Sequence, residues 1–201
     1  MAAVFVDITM SLDAFVARPG DAPGKGLGEC GEPPHYWVMG GPWTYDTAPT
    51  TQPAAVDPAV SDRTQARVGA EVMGRRVYDR SEGWGDTDFG HECFVLTHRP
   101  RPADVRGATT FHFIETDITD AVQRALSAAA GKDVLVMGGA DVIQQALAAR
   151  AGRRRHQPRR APILLGTGRR VFDHLGGPVT LAPTGVVASP FVTHLQYRIV
   201  K

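Results

Sequence analysis

A chain of 201 residues, 43% of them apolar, has the length and hydrophobic content for one α/β domain, residues 1–201, with a core that needs neither disulfides nor metals. Its 22 basic and 21 acidic side chains nearly cancel, so no global field draws in nucleic acid or an anionic membrane, and any anion site must be local. Only Cys30 and Cys93 occur, with no C-x-x-C pair, which argues against a disulfide framework or zinc knuckle and fits a reducing, cytoplasmic setting. The stretch from Met1 to Ser11 has no Lys or Arg and is interrupted by Asp7, so it reads as a first strand rather than a signal peptide or membrane span.

Val4 to Ile8 is rich in β-branched residues at strand length. Asp13 to Pro34, loaded with Gly and Pro, reads as a long loop of the kind that serves as a lid or binding segment. Ala59 to Gly69 reads as a helix, with Asp57 as its cap, Pro58 at its first position and Gly69 just past its end. Ala70 to Met73, Phe94 to Leu96 and Thr109 to Ile114 are strand candidates, and Ile118 to Ala129 has helical spacing behind the cap Asp117. Val134 to Met137 is a buried-strand run with a helix from Ala140 to Ala149 behind it. This alternation predicts a mostly parallel sheet covered by helices. Val179 to Val187 and Val192 to Val200 then predict a closing antiparallel hairpin.

Three strand ends carry residues suited to an anion. Val134 to Asp141 turns from a strand through Gly138 and Gly139 into the helix opened by Ala140 and Asp141, where unpaired N–H groups suit a pyrophosphate. A tight turn without a ligand would have the same sequence. Gly74, Arg75 and Arg76 follow a second strand and could pair with phosphate oxygens, although adjacent arginines are also common on solvated faces. Thr97, His98 and Arg99 follow a third. Three such ends favour one shared crevice beyond the carboxyl edge of the sheet. Neither G-x-G-x-x-G nor a P-loop is present.

In their order and spacing these segments resemble the dihydrofolate-reductase-like family, above all the reductase domain of the riboflavin-biosynthesis deaminase/reductase and its stand-alone relatives. The resemblance runs through Ser11 to Ala17, Met73 to Arg76, Val95 to His98, Val136 to Ala140, Pro162 to Gly166 and Thr193 to Arg198, nearly the whole chain. It implies a three-layer α/β/α fold and an NADPH-dependent reductase of a pterin-like or pyrimidine-like substrate, such as the ribosylaminouracil phosphate of riboflavin synthesis. Gly138, Gly139 and Ala140, with Asp141 beside them, would then cradle the pyrophosphate. Gly74, Arg75 and Arg76 would contact phosphates, and Thr97, His98 and Arg99 the adenosine 2′-phosphate. Ser11 and Asp13 match the family's Ser-Leu-Asp-Gly segment, with Ala14 in place of its glycine. Asp13 would supply the proton if burial raises its pKa, but an Asx-turn role is equally open. His35, Tyr36, Trp37 and Trp43 flank the long loop and could stack on a flat heterocycle, although aromatics beside a glycine-rich stretch serve as often as loop anchors. A homodimer is implied by the resemblance alone.

A true dihydrofolate reductase would need a buried acid on the first long helix, where Asp57 and Asp62 are the rivals to Asp13. A non-catalytic nucleotide-binding protein is the alternative of another class. No H-x-E with P-C-x-x-C deaminase signature occurs. His91 and Cys93 look like half of a metal site, but no third ligand has fitting spacing, so no metal is assigned. The run Arg153 to Arg160 is strongly basic where relatives have a Leu-Val-Asp-Glu turn and a strand. Shifted by one base, GC-rich codons for it read Val-Asp-Asp-Ile-Ser-Leu, so the run reads as a displaced frame rather than a nucleic-acid patch. As translated, its arginines and Pro158 speak against a normal central strand.

Overall fold

The computed structural model describes residues 2–48, 56–149 and 154–200. Within them runs a nine-stranded sheet, built mostly from parallel neighbours and edged by antiparallel ones. Its centre comprises β1 (Val4–Met10), β3 (Val68–Gly74), β4 (Glu92–Leu96), β6 (Thr109–Ile114) and β7 (Asp133–Gly138), all parallel, in the order β1, β7, β3, β4, β6. Beyond β6 lies β5 (Asp104–Arg106), a three-residue antiparallel edge. Beyond β1 come β8 (Arg154–Arg160), β11 (Thr193–Ile199) and β10 (Leu181–Ala188), the last two forming the expected hairpin. Short β2 (Phe15–Ala17) pairs separately with β9 (Arg169–Arg170).

Strand periodicity divides the core. Val4, Val6, Ala70, Val72, Val134 and Val136 face α4 (Ile118–Ala128) and α5 (Ala140–Ala148). Ile118, Ala121, Val122 and Ala125 make the apolar stripe of α4, and Asp117 caps it by accepting from the backbone N–H groups of Thr119 and Asp120. The opposite face carries Met73, Cys93, Val95 and Phe111 under Tyr78 of α3 (Arg75–Arg80). Further along that face lie α1 (Tyr36–Met39) and α2 (Val56–Gln65), fastened by Trp37 to Thr9 of β1 and by Asp57 to His194 of β11.

Three local expectations are corrected. Asp57 is not a cap but lies inside the first turn of α2, its carboxylate turned into the protein. Gly69 belongs to β3, not to a helix stop. A Cβ there would fall 2.3 Å from the Ala129 carbonyl oxygen, so glycine serves close approach. The basic run does form a central strand: β8 pairs parallel with β1 along its length and antiparallel with β11. Two features permit this. The β11 ladder lapses across Gln157 and Pro158, where the missing N–H would otherwise be needed. Arg159, whose side chain is 12% exposed, meets Asp7 at 2.6 Å. Arg153 lies outside the described residues.

Ala14 adopts φ +69°, the left-handed conformation natural to glycine. Ala14→Gly is therefore expected to stabilise the fold by up to about 1 kcal/mol. Thermal melting checks this: an unchanged or lower midpoint would show that the turn is not strained.

Candidate functional site

The carboxyl ends of β1, β3, β4 and β7 open into one cavity of about 660 Å³, within the range of small-molecule sites. All ten residues expected at a nucleotide line it: Gly74, Arg75 and Arg76; Thr97, His98 and Arg99; Gly138, Gly139, Ala140 and Asp141. The β3–α3 and β7–α5 turns meet at Gly74. A Cβ on Gly74 would stand 3.0 Å from Val142 Cγ2 and 3.7 Å from the Gly139 backbone nitrogen. At the start of α5, Gly139 is the N-cap and makes no side-chain capping bond, so the first N–H groups of that helix have no side chain of the cap to bind.

The third turn is braced by Thr97, whose hydroxyl accepts the Arg99 N–H at 3.0 Å, leaving His98 and Arg99 exposed at the rim. The arginines have carboxylate partners of their own. Arg76 Nε donates to Asp21 at 2.8 Å, Arg80 Nε to the same carboxylate at 3.1 Å, and Arg75 Nε to Asp79 at 2.7 Å. The hydrogen bonds from Arg76 hold the Asp21 carboxyl below its ordinary pKa. Asp21 belongs to the long loop, which thus closes over the cavity together with Gly24, Gly26, Leu27, His35 and Tyr45.

Ser11, Asp13, Trp37 and Trp43 stand outside the cavity wall. Partial desolvation works to raise the Asp13 pKa. The Ser11 hydroxyl at 2.5 Å and the N–H groups of Gly166 at 2.8 Å and Leu165 at 3.1 Å outweigh it, bringing the pKa down to about 2. The condition for Asp13 to be a proton donor, burial raising its pKa, is not met. Asp13 is an anion that ties the turn after β1 to the segment around Gly166. Its folded pKa lies below the ordinary 3.8, so its contribution is present above about pH 4 and is lost as pH falls towards 2. Asp13→Asn should cost about 1 kcal/mol at pH 7, after discounting for solvent screening, and about half of that at pH 3. Equal losses in urea melts at both pH values would contradict this.

Trp37 is a core residue, 5% exposed, donating to Thr9 Oγ1 at 3.2 Å with its ring edge-on to His194. Trp43 packs edge-on against Tyr45. Asp57 is buried but bound to His194 Nε2 at 2.7 Å, and Asp62 is exposed. Neither lines the cavity, so the acid on the first long helix is not at this site.

Sequence reasoning missed Ile8, Thr9, Asp21, Arg80, Trp84 and Arg169 as wall residues. Of the aromatic candidates flanking the long loop, His35 alone lines the wall. Burial, then the nearby Arg159 charge, takes its pKa down to about 4, leaving a neutral imidazole at neutral pH.

No family model matches the chain, and no curated protein sequence is detectably similar to it. Solved structures share its fold. A riboflavin biosynthesis protein from Shewanella sp. PV-4 superimposes with a TM-score of 0.69 at 20% identity, covering 99% of each chain. A pyrimidine reductase-like protein from Corynebacterium diphtheriae gives 0.64 at 14% identity, covering 100% of this chain and 92% of the other. RibD from Acinetobacter baumannii gives 0.63 at 14% identity, and this chain spans 59% of its length. The chain therefore has the dihydrofolate-reductase-like fold.

Proposed function

We propose that this chain, sharing its fold with riboflavin-pathway reductases, is an NADPH-dependent reductase of a pyrimidine-like or pterin-like heterocycle. The observation that carries the reading is the convergence of three strand-end turns on one cavity. The glycines at 74, 138 and 139 keep that wall free of side chains, as a pyrophosphate needs, and the α5 N-terminus supplies N–H donors. Arg75 and Arg76 would meet phosphates, and Thr97, His98 and Arg99 the 2′-phosphate. When bound, NADPH supplies a hydride from C4 of its nicotinamide to an electron-poor imine or carbonyl carbon. Ile8, Val16 and Leu27 provide an apolar wall that excludes water, while neutral His35 and Tyr45 offer hydrogen bonds to orient a polar heterocycle.

The test is a titration with NADPH and with NADH, followed by Trp84 fluorescence, since Trp84 is the one tryptophan in the cavity wall. NADPH is expected to bind at least about tenfold more tightly. No quenching by either cofactor would end the proposal. A second reading, nucleotide binding without turnover, is favoured by the Asp13 geometry, which leaves that carboxylate unable to protonate a product at neutral pH. Turnover of aminouracils or pterins by the NADPH complex would exclude it.

We extend the proposal to a homodimer paired through the free edge of β10, where Val186 is 64% exposed. Light scattering that reports only monomer would remove this extension. Among the described residues no helix is long and apolar enough to cross a membrane.

A further inference from the structure

On the sheet face away from α4 and α5, and outside the nucleotide cavity, three potential metal ligands meet. The parallel register places Glu71 of β3 opposite Cys93 of β4, and His91 stands just ahead of β4. One ligand atom from each lies within 4.8 Å of the other two. Glu71 and Cys93 are 0% exposed. Neither carboxylate oxygen of Glu71 has a hydrogen-bond partner, and the buried His91 Nε2 has none either. Leaving a carboxylate so placed without compensation is costly.

The spacing suggests what compensates it. His91 Nε2 and Glu71 Oε1 are 3.3 Å apart without the alignment of a hydrogen bond. Two ligands held at about 2.0–2.1 Å by one tetrahedral ion are separated by about this much. We infer that Glu71, His91 and Cys93 are ligands of a single zinc ion. Sulfur, nitrogen and oxygen together suit zinc and disfavour magnesium or calcium, which take oxygen donors. Thiolate, carboxylate and neutral imidazole also cancel the charge of a divalent ion, so the loaded site is neutral in its apolar surroundings. A divalent cation at this site would favour the thiolate form of the buried Cys93. The fourth position would be water on the side where His91 is 11% exposed. None of the three residues lines the nucleotide cavity, so the ion ties β3 to β4 and takes no part in hydride transfer.

The test uses the full chain stripped with chelator and titrated with Co²⁺ alone. The expected result is one ion per chain, with visible bands of tetrahedral cobalt and a near-ultraviolet thiolate-to-cobalt charge-transfer band, both displaced by Zn²⁺. Cys93→Ser should remove the charge-transfer band, and His91→Ala, at a partly exposed position, should weaken binding by about tenfold or more. Circular dichroism confirms that each protein is folded. A folded wild-type chain that binds no cobalt, or binds it without the charge-transfer band, overturns the site. So does a band that survives Cys93→Ser.

Discussion

Replacing Arg159 by Leu is expected to destabilise the protein by about 2–3 kcal/mol at pH 8, because it leaves a buried carboxyl group without its partner. The Asp7 and Arg159 side chains are 5% and 12% exposed and meet at 2.6 Å. Arg159 also donates to His194 Nδ1 at 3.2 Å and stacks over Trp37, so one guanidinium joins β1, β11 and α1. Burial drives the Asp7 pKa up to about 6, with the Arg159 charge pulling it back only in part. The folded state therefore holds a proton that the unfolded state releases near pH 3.8, and stability from this group declines as pH rises towards 6. Without Arg159 the carboxyl rises further, so the deficit of the variant should be small at pH 5 and large at pH 8. Urea unfolding at the two pH values measures it. The double variant Asp7→Leu, Arg159→Met should recover most of the loss. A deficit below about 1 kcal/mol at pH 8 would mean that the pair is not buried as described.

His98→Ala combined with Arg99→Ala is expected to lower NADPH affinity by about 10- to 100-fold and to leave NADH affinity unchanged. Both side chains project from the turn braced by Thr97, and Arg99 meets Asp79 only at 3.6 Å with its side chain 77% exposed, so their loss leaves the brace of the turn in place. The two cofactors differ only in the 2′-phosphate, which makes the ratio of their dissociation constants the readout. An equal fall for both would move the 2′-phosphate contact elsewhere. No fall for either would mean that this turn does not touch the nucleotide.

The strand-end turns were legible because each concentrates its signal in three or four adjacent residues: glycine for approach, basic groups for charge. Asp117 was readable as a cap for the same reason, since its partners lie two and three residues away. Residues whose meaning depends on distant partners were not. Asp57 looked like a cap, but its role is set by His194, which lies 137 positions away. His91 and Cys93 were visible as a pair, while Glu71 is supplied by the neighbouring strand, a relation fixed by register rather than spacing. Trp37 looked like a stacking platform until the fold enclosed it.

The basic run read as a strand breaker because composition shows neither the lapse in the β11 ladder nor the carboxylate waiting on β1. The displaced-frame proposal remains a claim about the gene. Compensating insertions and deletions around codons 153–160 on resequencing would support it, and an uninterrupted frame would end it.

Asp21 gives the cavity an internal rival for its own ligand. Its carboxylate spans Arg76 and Arg80, so under the proposed function a phosphate reaching these arginines would exchange one anion for another and release few bound counterions from the solvent. Cofactor affinity should then depend less on ionic strength than the number of arginines suggests.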